Sequence, residues 1–329
     1  MRIRAAGNVP FMIVAAAVVA LAVVTAYASQ STPPSHRATK EDFARWKKEL
    51  SNWGRWGKDD QLGALNLITP AKRKQAAALV TEGFSVSLAR DAETVKAIDN
   101  PNPYELGDGR LAVSYHGTVH THLDSLSIMR SDYEGANYNG YTGPQAPAVA
   151  KEGFDLRNSI YNIKIGIVTR GILVDIPRLK GVPYLEPGTP IYLEDLEAWE
   201  KRAGIKVSSG DALFVRVGTW PRRKAVGPWD RRRGGIEAGL HPSVIPWLKQ
   251  RDIALLGSDG INMVAPSEIP GAVHDFAPRV LGVHVFDNCD LDALSDATAS
   301  RRRWEFMLTA APLPLRGATG SPINPIATF

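Results

Sequence analysis

Short β-branched and apolar runs alternate with helical patterns along this chain, and this alternation constrains the fold more than any other feature. The runs are SVSLA, YNIKIGIV, ILVDI, ALFVRV, IALLG and RVLGVHVF, at 85–89, 161–168, 172–176, 212–217, 253–257 and 279–286. Helical periodicity predicts helices over 193–203 and 242–250. The alternation predicts a mixed α/β or α+β domain and disfavours an all-β sandwich. With 329 residues, 44% of them hydrophobic, the chain can bury one large core.

The N-terminus has the three parts of a secretory signal peptide. Arg2 and Arg4 precede an apolar run over 11–24, and Ala26-Tyr27-Ala28 is a small-x-small cleavage pattern. We therefore predict a signal peptide at 1–28 and an exported protein, periplasmic or secreted, without stable membrane insertion after cleavage. An uncleaved N-terminal membrane anchor is the alternative, although the apolar run is shorter than the about 20 residues that a spanning helix prefers.

A polar, proline-bearing segment separates the leader from the predicted domain. We predict a tether at 29–38 and one domain over 39–329. Thr39 is placed to cap a helix in which Phe43, Trp46 and Leu50 recur at helical spacing. Thr69-Pro70 is a second helix start, and this helix is predicted to run through Leu79.

Cys289 is the only cysteine. An internal disulfide is therefore excluded, and so is a zinc site made of several thiolates. Any metal in this chain has to be held by histidine and carboxylate side chains.

The charge pattern does not indicate nucleic-acid binding. The formal net charge of +5 includes Arg2 and Arg4 of the predicted leader, and the remaining bias is too small to argue for a nucleic-acid partner. Three basic clusters occur, and solvated faces are the favoured interpretation of them. They are Arg222-Arg223-Lys224, Arg231-Arg232-Arg233 and Arg301-Arg302-Arg303.

The segment HGTVHTHLDSLSIM, at 116–129, is unusually rich in histidine. If LAVSYHGTVHTHLD forms one extended strand, alternation places a series of polar side chains on a single face. The series is His116, Thr118, His120, His122 and Asp124. Imidazoles two residues apart on a strand can converge on an ion, and a carboxylate adds charge. The pattern predicts a metal-binding face, whereas a lone histidine would be interpreted as an ordinary buried residue.

Completion of a metal shell needs distant residues. The candidates are His274, His241, His284 and the carboxylates of FDNCDLDAL. Asp259 follows the IALLG run, where a strand end can present a functional carboxylate, but a loop-capping role is equally ordinary there.

Several segments in order resemble the large bacterial and fungal branch of the cyclase family, which includes bacterial kynurenine formamidases and isatin hydrolase. They are WGRWGKDDQLGALNLITP, HGTVHTHLDSLS, ANYNGY, GDALFVRVGTW, LGSDGIN, the stretch from HDFAPRVLG to FDNCDLDAL, and RRRWEFMLTAAPLPLRGATGSPINPIA. The resemblance extends from about Trp53 to Phe329. It implies a swivelling β/β/α fold and metal-dependent hydrolysis of the C–N bond of an amide, often formyl-aryl or cyclic. For an arylformamidase-like member it also implies a place in tryptophan catabolism.

The resemblance also implies a ligand set and two departures from the family pattern. Carried over by position, the ligands of a divalent zinc or manganese ion are His122, Asp124, His274 and Asp287, with His120 as a possible extra ligand. Metal-activated water is then the nucleophile. Thr118 stands where the family pattern has its first histidine. Ile128 stands where the pattern has its usual acid/base histidine, and an isoleucine cannot transfer a proton, so we expect His116 or His120 to be the proton shuttle.

The substrate is expected to be a small amide, and an aromatic one. Trp53, Trp56 and Trp220 could line a pocket for such a ligand, although tryptophans are more often core residues. His241 and Asp259 complete the predicted substrate-binding residues. The resemblance also implies a homo-oligomer.

Two other functions remain open. One is a mononuclear iron oxygenase, since His122, Asp124 and His274 also form a two-histidine, one-carboxylate set, but that architecture usually belongs to an all-β jelly roll. The other is an exported protein that binds a small ligand without hydrolysing it, which the isoleucine at Ile128 favours.

Overall fold

The computed structural model describes residues 36–128, 136–141, 157–231 and 235–329, and its compact unit runs from Ala38 to Phe329. The predicted signal peptide at 1–28 and most of the predicted tether lie outside the described residues. Among the residues that are described, no helix has the length and apolar character needed to cross a membrane.

The strands of the described residues assemble into one large sheet and two small ones. They are β1 (Ser85–Ser87), β2 (Glu105–Gly107), β3 (Arg110–Ala112), β4 (His122–Asp124), β5 (Ile167–Asp175), β6 (Pro190–Ile191), β7 (Ala212–Arg216), β8 (Gly239–Leu240), β9 (Leu255–Ser258), β10 (His284–Asp287), β11 (Glu305–Ala310), β12 (Gly320–Pro322) and β13 (Ile326–Thr328). The large sheet has the order β1-β13-β11-β5-β7-β9-β10-β4-β12. Its centre, from β5 through β7 and β9 to β10, is parallel, and the outer strands are antiparallel.

The described α-helices cover this sheet. They are α1 (Lys40–Glu49), α2 (Pro70–Ala77), α3 (Ile176–Lys180), α4 (Leu193–Ala203), α5 (Thr219–Val226), α6 (Ile245–Arg251), α7 (Ala272–Phe276) and α8 (Asp292–Arg301). Short 3₁₀ segments occur at Gly63–Leu67, Tyr138–Gly140, Ile160–Ile163 and Pro242–Val244, and a π-helical turn spans Ala277–Leu281. The predicted mixed α/β fold class is confirmed, and it is not the jelly roll of an iron oxygenase.

The parallel centre of the sheet is buried on both faces. Leu213 and Val215 of β7 belong to one apolar cluster, and Phe214 between them belongs to the other. Because both faces are covered, these strands appear in the sequence as continuous apolar runs. This explains why ALFVRV and IALLG could be predicted as strands.

The helix starts were predicted well because their signals are local. Thr39 accepts a hydrogen bond from the backbone of Asp42, whose side chain bonds back to the Thr39 backbone, so α1 begins with a capping box. The Thr69 hydroxyl caps α2 by accepting the backbone N–H of Lys72, although this helix ends at Ala77 and not at Leu79.

Two predicted strands were partly wrong. In YNIKIGIV the first half is a 3₁₀ turn, and β5 begins only at Ile167. In RVLGVHVF the first half is the π-helical turn, and β10 begins at His284. Both turns contain buried apolar side chains, Ile160 and Ile163 in the first and Val280 and Leu281 in the second, so hydrophobicity alone does not separate them from a strand.

Candidate metal centre

The register of the sheet brings predicted ligands together on one face. In the pairing of β10 with β4, Asp287 lies opposite His122 and Val285 lies opposite Asp124. Residues directly opposite each other project to the same face, and side chains alternate along a strand. His122, Asp124 and Asp287 therefore share one face of the sheet.

The prediction of one long histidine strand was wrong. Leu111 and Ala112 belong to β3 and His122–Asp124 form β4, but residues 113–121 between them are irregular. Thr118 donates its hydroxyl to the Asp99 carbonyl, and the side chain of Asn288 binds the Gly117 carbonyl. In this segment, side chains and not a neighbouring strand supply these hydrogen bonds, so the residues do not alternate as in a strand and the five polar residues do not line one face.

One group of candidate ligands consists of Asp124, His274 and Asp287. His274 Nε2 lies 2.8 Å from Asp287 Oδ2 and 3.6 Å from Asp124 Oδ2. One donor atom from each residue lies within 4.8 Å of the others. His274 reaches this position from α7, a short helix that follows the long loop after β9.

A second group consists of His116, His122 and Asp124. His116 Nδ1 lies 3.0 Å from Asp124 Oδ1, and His122 Nε2 lies 3.4 Å from the same oxygen. The two imidazole rings meet edge to face with centroids 5.3 Å apart. Asp124 is thus shared by both groups.

Hydrogen bonds fix the orientation of the two histidines in the second group. His122 Nδ1 donates to the His120 carbonyl at 2.8 Å, so its Nε2 lone pair faces the carboxylates. His116 Nε2 lies 2.8 Å from the Thr319 hydroxyl, which leaves Nδ1 towards Asp124. A ring nitrogen held by an outer partner, with the other nitrogen free, is the usual arrangement of metal-binding histidines.

The environment of Asp124 fits a cation. Its Oδ1 atom is buried and makes no hydrogen bond, although the nitrogens of His116 and His122 are its nearest polar neighbours. A buried carboxylate oxygen without a partner is costly unless a cation compensates it. Imidazole nitrogen and carboxylate oxygen are donors that zinc accepts, and manganese also binds carboxylates readily.

Charge coupling in the first group changes the pKa of both partners. Burial disfavours the charged form of His274, but the adjacent Asp287 carboxylate outweighs this and raises the His274 pKa to about 10. Burial likewise disfavours ionised Asp287, yet His274, His122 and the amide of Asn262 hold its pKa below the ordinary value. The two residues therefore form an ion pair in the structure described here.

Three residues that sequence reasoning did not assign support the ligands. Asn262 donates from Nδ2 to Asp287 Oδ1 at 2.7 Å and to the Phe286 carbonyl. Thr319 contacts His116, and Gly320 lies opposite Asp124, where a Cβ would be 2.8 Å from His116 Cε1. The LGSDGIN segment contained Asn262, but nothing in its spacing distinguishes a residue that orients a ligand from a turn residue.

His120, predicted as proton shuttle and extra ligand, belongs to neither ligand group. Its Nε2 donates to the Asn102 carbonyl at 3.2 Å, and its ring packs edge-on against Tyr104. Its Nδ1 is buried without a partner. Burial lowers its pKa and the Arg90 charge acts in the same direction, so the imidazole is neutral at pH 7.

Asp259, predicted to bind substrate, acts as a cap. Its carboxylate accepts the backbone N–H groups of Val217, Gly218 and Thr219 at 2.7, 2.8 and 3.1 Å, at the start of α5. Burial raises its pKa to about 6 in spite of Arg216 and these donors. The loop-capping interpretation describes this residue.

His241, Trp53 and Trp56 make their contacts outside the two ligand groups, whereas Trp220 bonds to the Cys289 carbonyl, two residues from Asp287. His241 caps the 3₁₀ turn after β8 through Ser243 and contacts Glu268 at 3.0 Å. Trp53 is 43% exposed and donates to the Arg279 carbonyl, and Trp56 is stacked by Arg55. His284 faces away from Asp287 on β10, and burial lowers its pKa to about 3.

The solvated-face interpretation was wrong for Arg231. This side chain is buried and donates to Glu237 at 2.7 Å and to the Thr118 carbonyl. It therefore ties the irregular histidine segment to the β8 region. Arg232 and Arg233 lie outside the described residues.

Ile128 is partly buried, and its backbone N–H donates to the Ser125 carbonyl at 3.2 Å. No acid/base side chain is available at this position.

Comparisons with known proteins agree with this architecture. The family model described as "Putative cyclase" matches residues 84–263. A crystal structure of a protein described as a novel cyclase is 29% identical, with 86% of this chain and 99% of that chain covered and a TM-score of 0.72. Isatin hydrolase A from Ralstonia solanacearum is 18% identical, with coverage of 79% and 97% and a TM-score of 0.50, and shares the fold. A comparison with curated proteins found no match.

Proposed function

The chain belongs to the cyclase family, and we propose that it is a metal-dependent hydrolase that cleaves the C–N bond of a small amide. The observation that carries this proposal is the position of Asp124. Its carboxylate is buried, shared by two groups of candidate ligands, and has one oxygen without a hydrogen bond.

Zinc or manganese would be held by His122, Asp124, His274 and Asp287, with His116 as the remaining donor of the second group. A divalent cation in such a site lowers the pKa of water and polarises a carbonyl oxygen. The chain's own residues supply the rest. Asn262 keeps Asp287 turned towards His274, and buried β-strands hold His122, Asp124 and Asp287 in a fixed register.

Proton transfer to the leaving amine needs a group other than Ile128. His116 has one ring nitrogen at Thr319 and the other at Asp124, so it is better suited to be a ligand than a shuttle. His120 has a free Nδ1, and burial keeps its imidazole neutral. We assign proton transfer to His120, with a contribution of about 100-fold or more in rate.

Hydrolysis assays with the full chain test the function. We would remove metal with a chelator, restore zinc or manganese, and follow turnover of formanilide and isatin. The proposal predicts hydrolysis of at least one amide that depends on the added metal and is lost in Asp124→Asn. Asp259→Asn is the matched control, because it removes an equally buried carboxylate outside both ligand groups, and it should retain metal-dependent activity.

A binding protein without turnover is the second candidate, and the isoleucine at position 128 favours it. In that case the wild-type chain would bind metal and retain the amide intact, and Ile128→His would create hydrolysis from none. If the enzyme proposal is right, the unaltered chain is already active, and Ile128→His changes the rate of an existing reaction.

A further inference from the structure

Arg90 is unusual among the partly buried arginines of the described chain, because its guanidinium makes no hydrogen bond or ion pair. Its Nε is buried without a partner. By contrast Arg216, Arg223 and Arg231 each donate to a carboxylate at 2.6–2.9 Å. A half-buried cation left in this way is costly unless a further group compensates it.

Trp220 holds the Arg90 guanidinium in a defined orientation. The guanidinium carbon lies 4.0 Å from the centroid of the indole ring. This cation–π contact covers one face of the guanidinium and leaves its N–H edges available, since the donors of an arginine point outwards in its plane. The N–H groups of the Arg90 guanidinium therefore lack an acceptor, and a planar carboxylate would supply one.

The Arg90–Trp220 pair is anchored next to the candidate ligands. The backbone N–H of Arg90 donates to Thr121 Oγ1 at 2.9 Å, and Trp220 Nε1 donates to the Cys289 carbonyl at 2.6 Å. Thr121 adjoins His122, and Cys289 is two residues from Asp287. Consecutive Cα atoms are about 3.8 Å apart, so each anchor lies within about 8 Å of a ligand along the backbone.

His120 connects the two regions. It is 3% exposed, and its Nδ1 lone pair has no partner, since Nε2 is used by the Asn102 carbonyl. The charge of Arg90 acts on it. Two polar side chains next to the candidate ligands thus have an unused hydrogen-bonding group: Arg90 has free donors, and His120 has a free acceptor at Nδ1.

We propose that Arg90, stacked on Trp220, binds a carboxylate of the substrate, so that the natural substrate is an amide that carries a second, anionic group. This inference rests on the proposed hydrolase function. A carboxylate accepts two parallel N–H bonds from a guanidinium, which fits a guanidinium whose N–H groups have no acceptor. Asp290, Glu93 and Asp91 act on Arg90 only through their charge. Glu93 pairs with Arg223 at 3.7 Å, and no carboxylate of the described residues lies within ion-pair distance of Arg90.

The experiment compares two probes that differ in one carboxylate. With the full chain in its zinc- or manganese-loaded form, we would measure Km for formanilide and for the three formamidobenzoate isomers. We would also measure the equilibrium Kd of the corresponding aminobenzoates and of aniline by calorimetry. The proposal predicts that at least one carboxylate-bearing isomer binds more than 10-fold tighter than its neutral counterpart.

Substitution of Arg90 should remove that preference. In Arg90→Met, the affinity for the preferred carboxylate probe is expected to fall about 10- to 100-fold, and the affinity for the neutral probe should stay within twofold of wild type. Arg90→Lys, which keeps the charge and loses the fork, should give a partial effect and serves as the second variant if the methionine variant is unstable. Arg222→Met is the matched control, because Arg222 also stacks on a tryptophan, Trp229, at 4.4 Å.

The outcomes separate the two proposals. Equal affinity for both probes in the wild type, or an Arg90→Met variant that retains the preference, overturns the role of Arg90 even if both probes are hydrolysed. A preference for carboxylate that disappears in Arg90→Met supports the role of Arg90 even if no probe is hydrolysed, and in that case the hydrolase proposal alone fails.

Discussion

Asp124 and Asp259 are both fully buried carboxylates at the ends of strands, yet their surroundings are opposite. Asp259 accepts three backbone N–H groups of its own chain and faces Arg216. Asp124 has one oxygen without any hydrogen bond, and its neighbours are imidazole nitrogens and a second carboxylate. The chain satisfies one carboxylate completely and leaves the other unsatisfied.

The difference distinguishes a structural carboxylate from one that fits a cation. Backbone donors stabilise the ionised form of Asp259 without any external group. Near Asp124, the bond of His122 to the His120 carbonyl turns the Nε2 lone pair of His122 towards the carboxylate, and the Thr319 hydroxyl holds His116 with its Nδ1 towards the same carboxylate. A divalent cation satisfies such a set, and a proton does so only in part.

The largest effect is expected for Asp124→Asn. Both ligand groups lose their shared member, so zinc or manganese affinity should fall well beyond the about 100-fold that loss of an outer partner costs. The metal-free variant should unfold at the same or a higher temperature than metal-free wild type, because an unsatisfied buried charge is removed. Calorimetric titration and thermal unfolding with and without metal measure both. Wild-type metal affinity in this variant would remove Asp124 from the site.

Asp259→Ala should lower the stability of the fold and leave metal affinity nearly unchanged, the opposite of Asp124→Asn. Three buried N–H groups lose their acceptor, so the free energy of unfolding should fall by about 4 kcal/mol. Metal affinity of the folded fraction should remain within a few-fold of wild type. Denaturant unfolding measures the first quantity. A stable variant that fails to bind metal would mean that Asp259 belongs to the site after all.

A pH titration sharpens the comparison. The folded-state pKa of Asp259 is about 6, above its ordinary value of 3.8, because burial disfavours the ionised form. Its contribution to stability is therefore present below about pH 4 and lost as the pH rises through 6. The size is about 3 kcal/mol. Between about pH 4 and pH 6, the free energy of unfolding of wild type should therefore fall relative to that of Asp259→Asn, which has no carboxyl group to ionise at this position. If the difference between the two free energies does not change with pH, the raised pKa of Asp259 is contradicted.

The smallest effect is expected for Thr319→Val. Without the hydroxyl, His116 loses the partner of its Nε2, and we expect metal affinity to fall about 10-fold. Thr319→Ser keeps the hydroxyl and should restore it. If the valine variant binds metal as tightly as the serine variant, the contact of Thr319 with His116 plays no part in metal binding.

The sequence predicted those features whose signals are local. The capping box of Thr39 with Asp42 and the helix Leu193–Ala203 needed only neighbouring residues. The strand around His122 did not, because its register is set by β10 and β12, far along the chain. For the same reason alternation alone assigned His116, His120 and His122 to one face, whereas Asn102 and Tyr104 take His120 away from it.

The roles of buried charged residues also could not be predicted from the sequence, because they depend on partners that no local pattern identifies. Asp259 and Arg231 were assigned a functional or a solvated role from type and position, and both are buried structural groups. Their partners, at Val217 and Glu237, have no sequence signature that pairs them. The resemblance to the cyclase family supplied His274 and Asp287, which spacing alone could not separate from the other acidic and histidine residues.

Whether Asp124 holds a cation is tested most directly by a calorimetric titration of the chelator-treated full chain with zinc and with manganese, beside Asp124→Asn and Asp259→Asn. We expect one or two ions bound per chain in wild type and in Asp259→Asn, a rise in their unfolding temperature when the metal is bound, and no binding in Asp124→Asn. A wild-type chain that binds neither ion, or an Asp124→Asn variant that binds as wild type does, would contradict it.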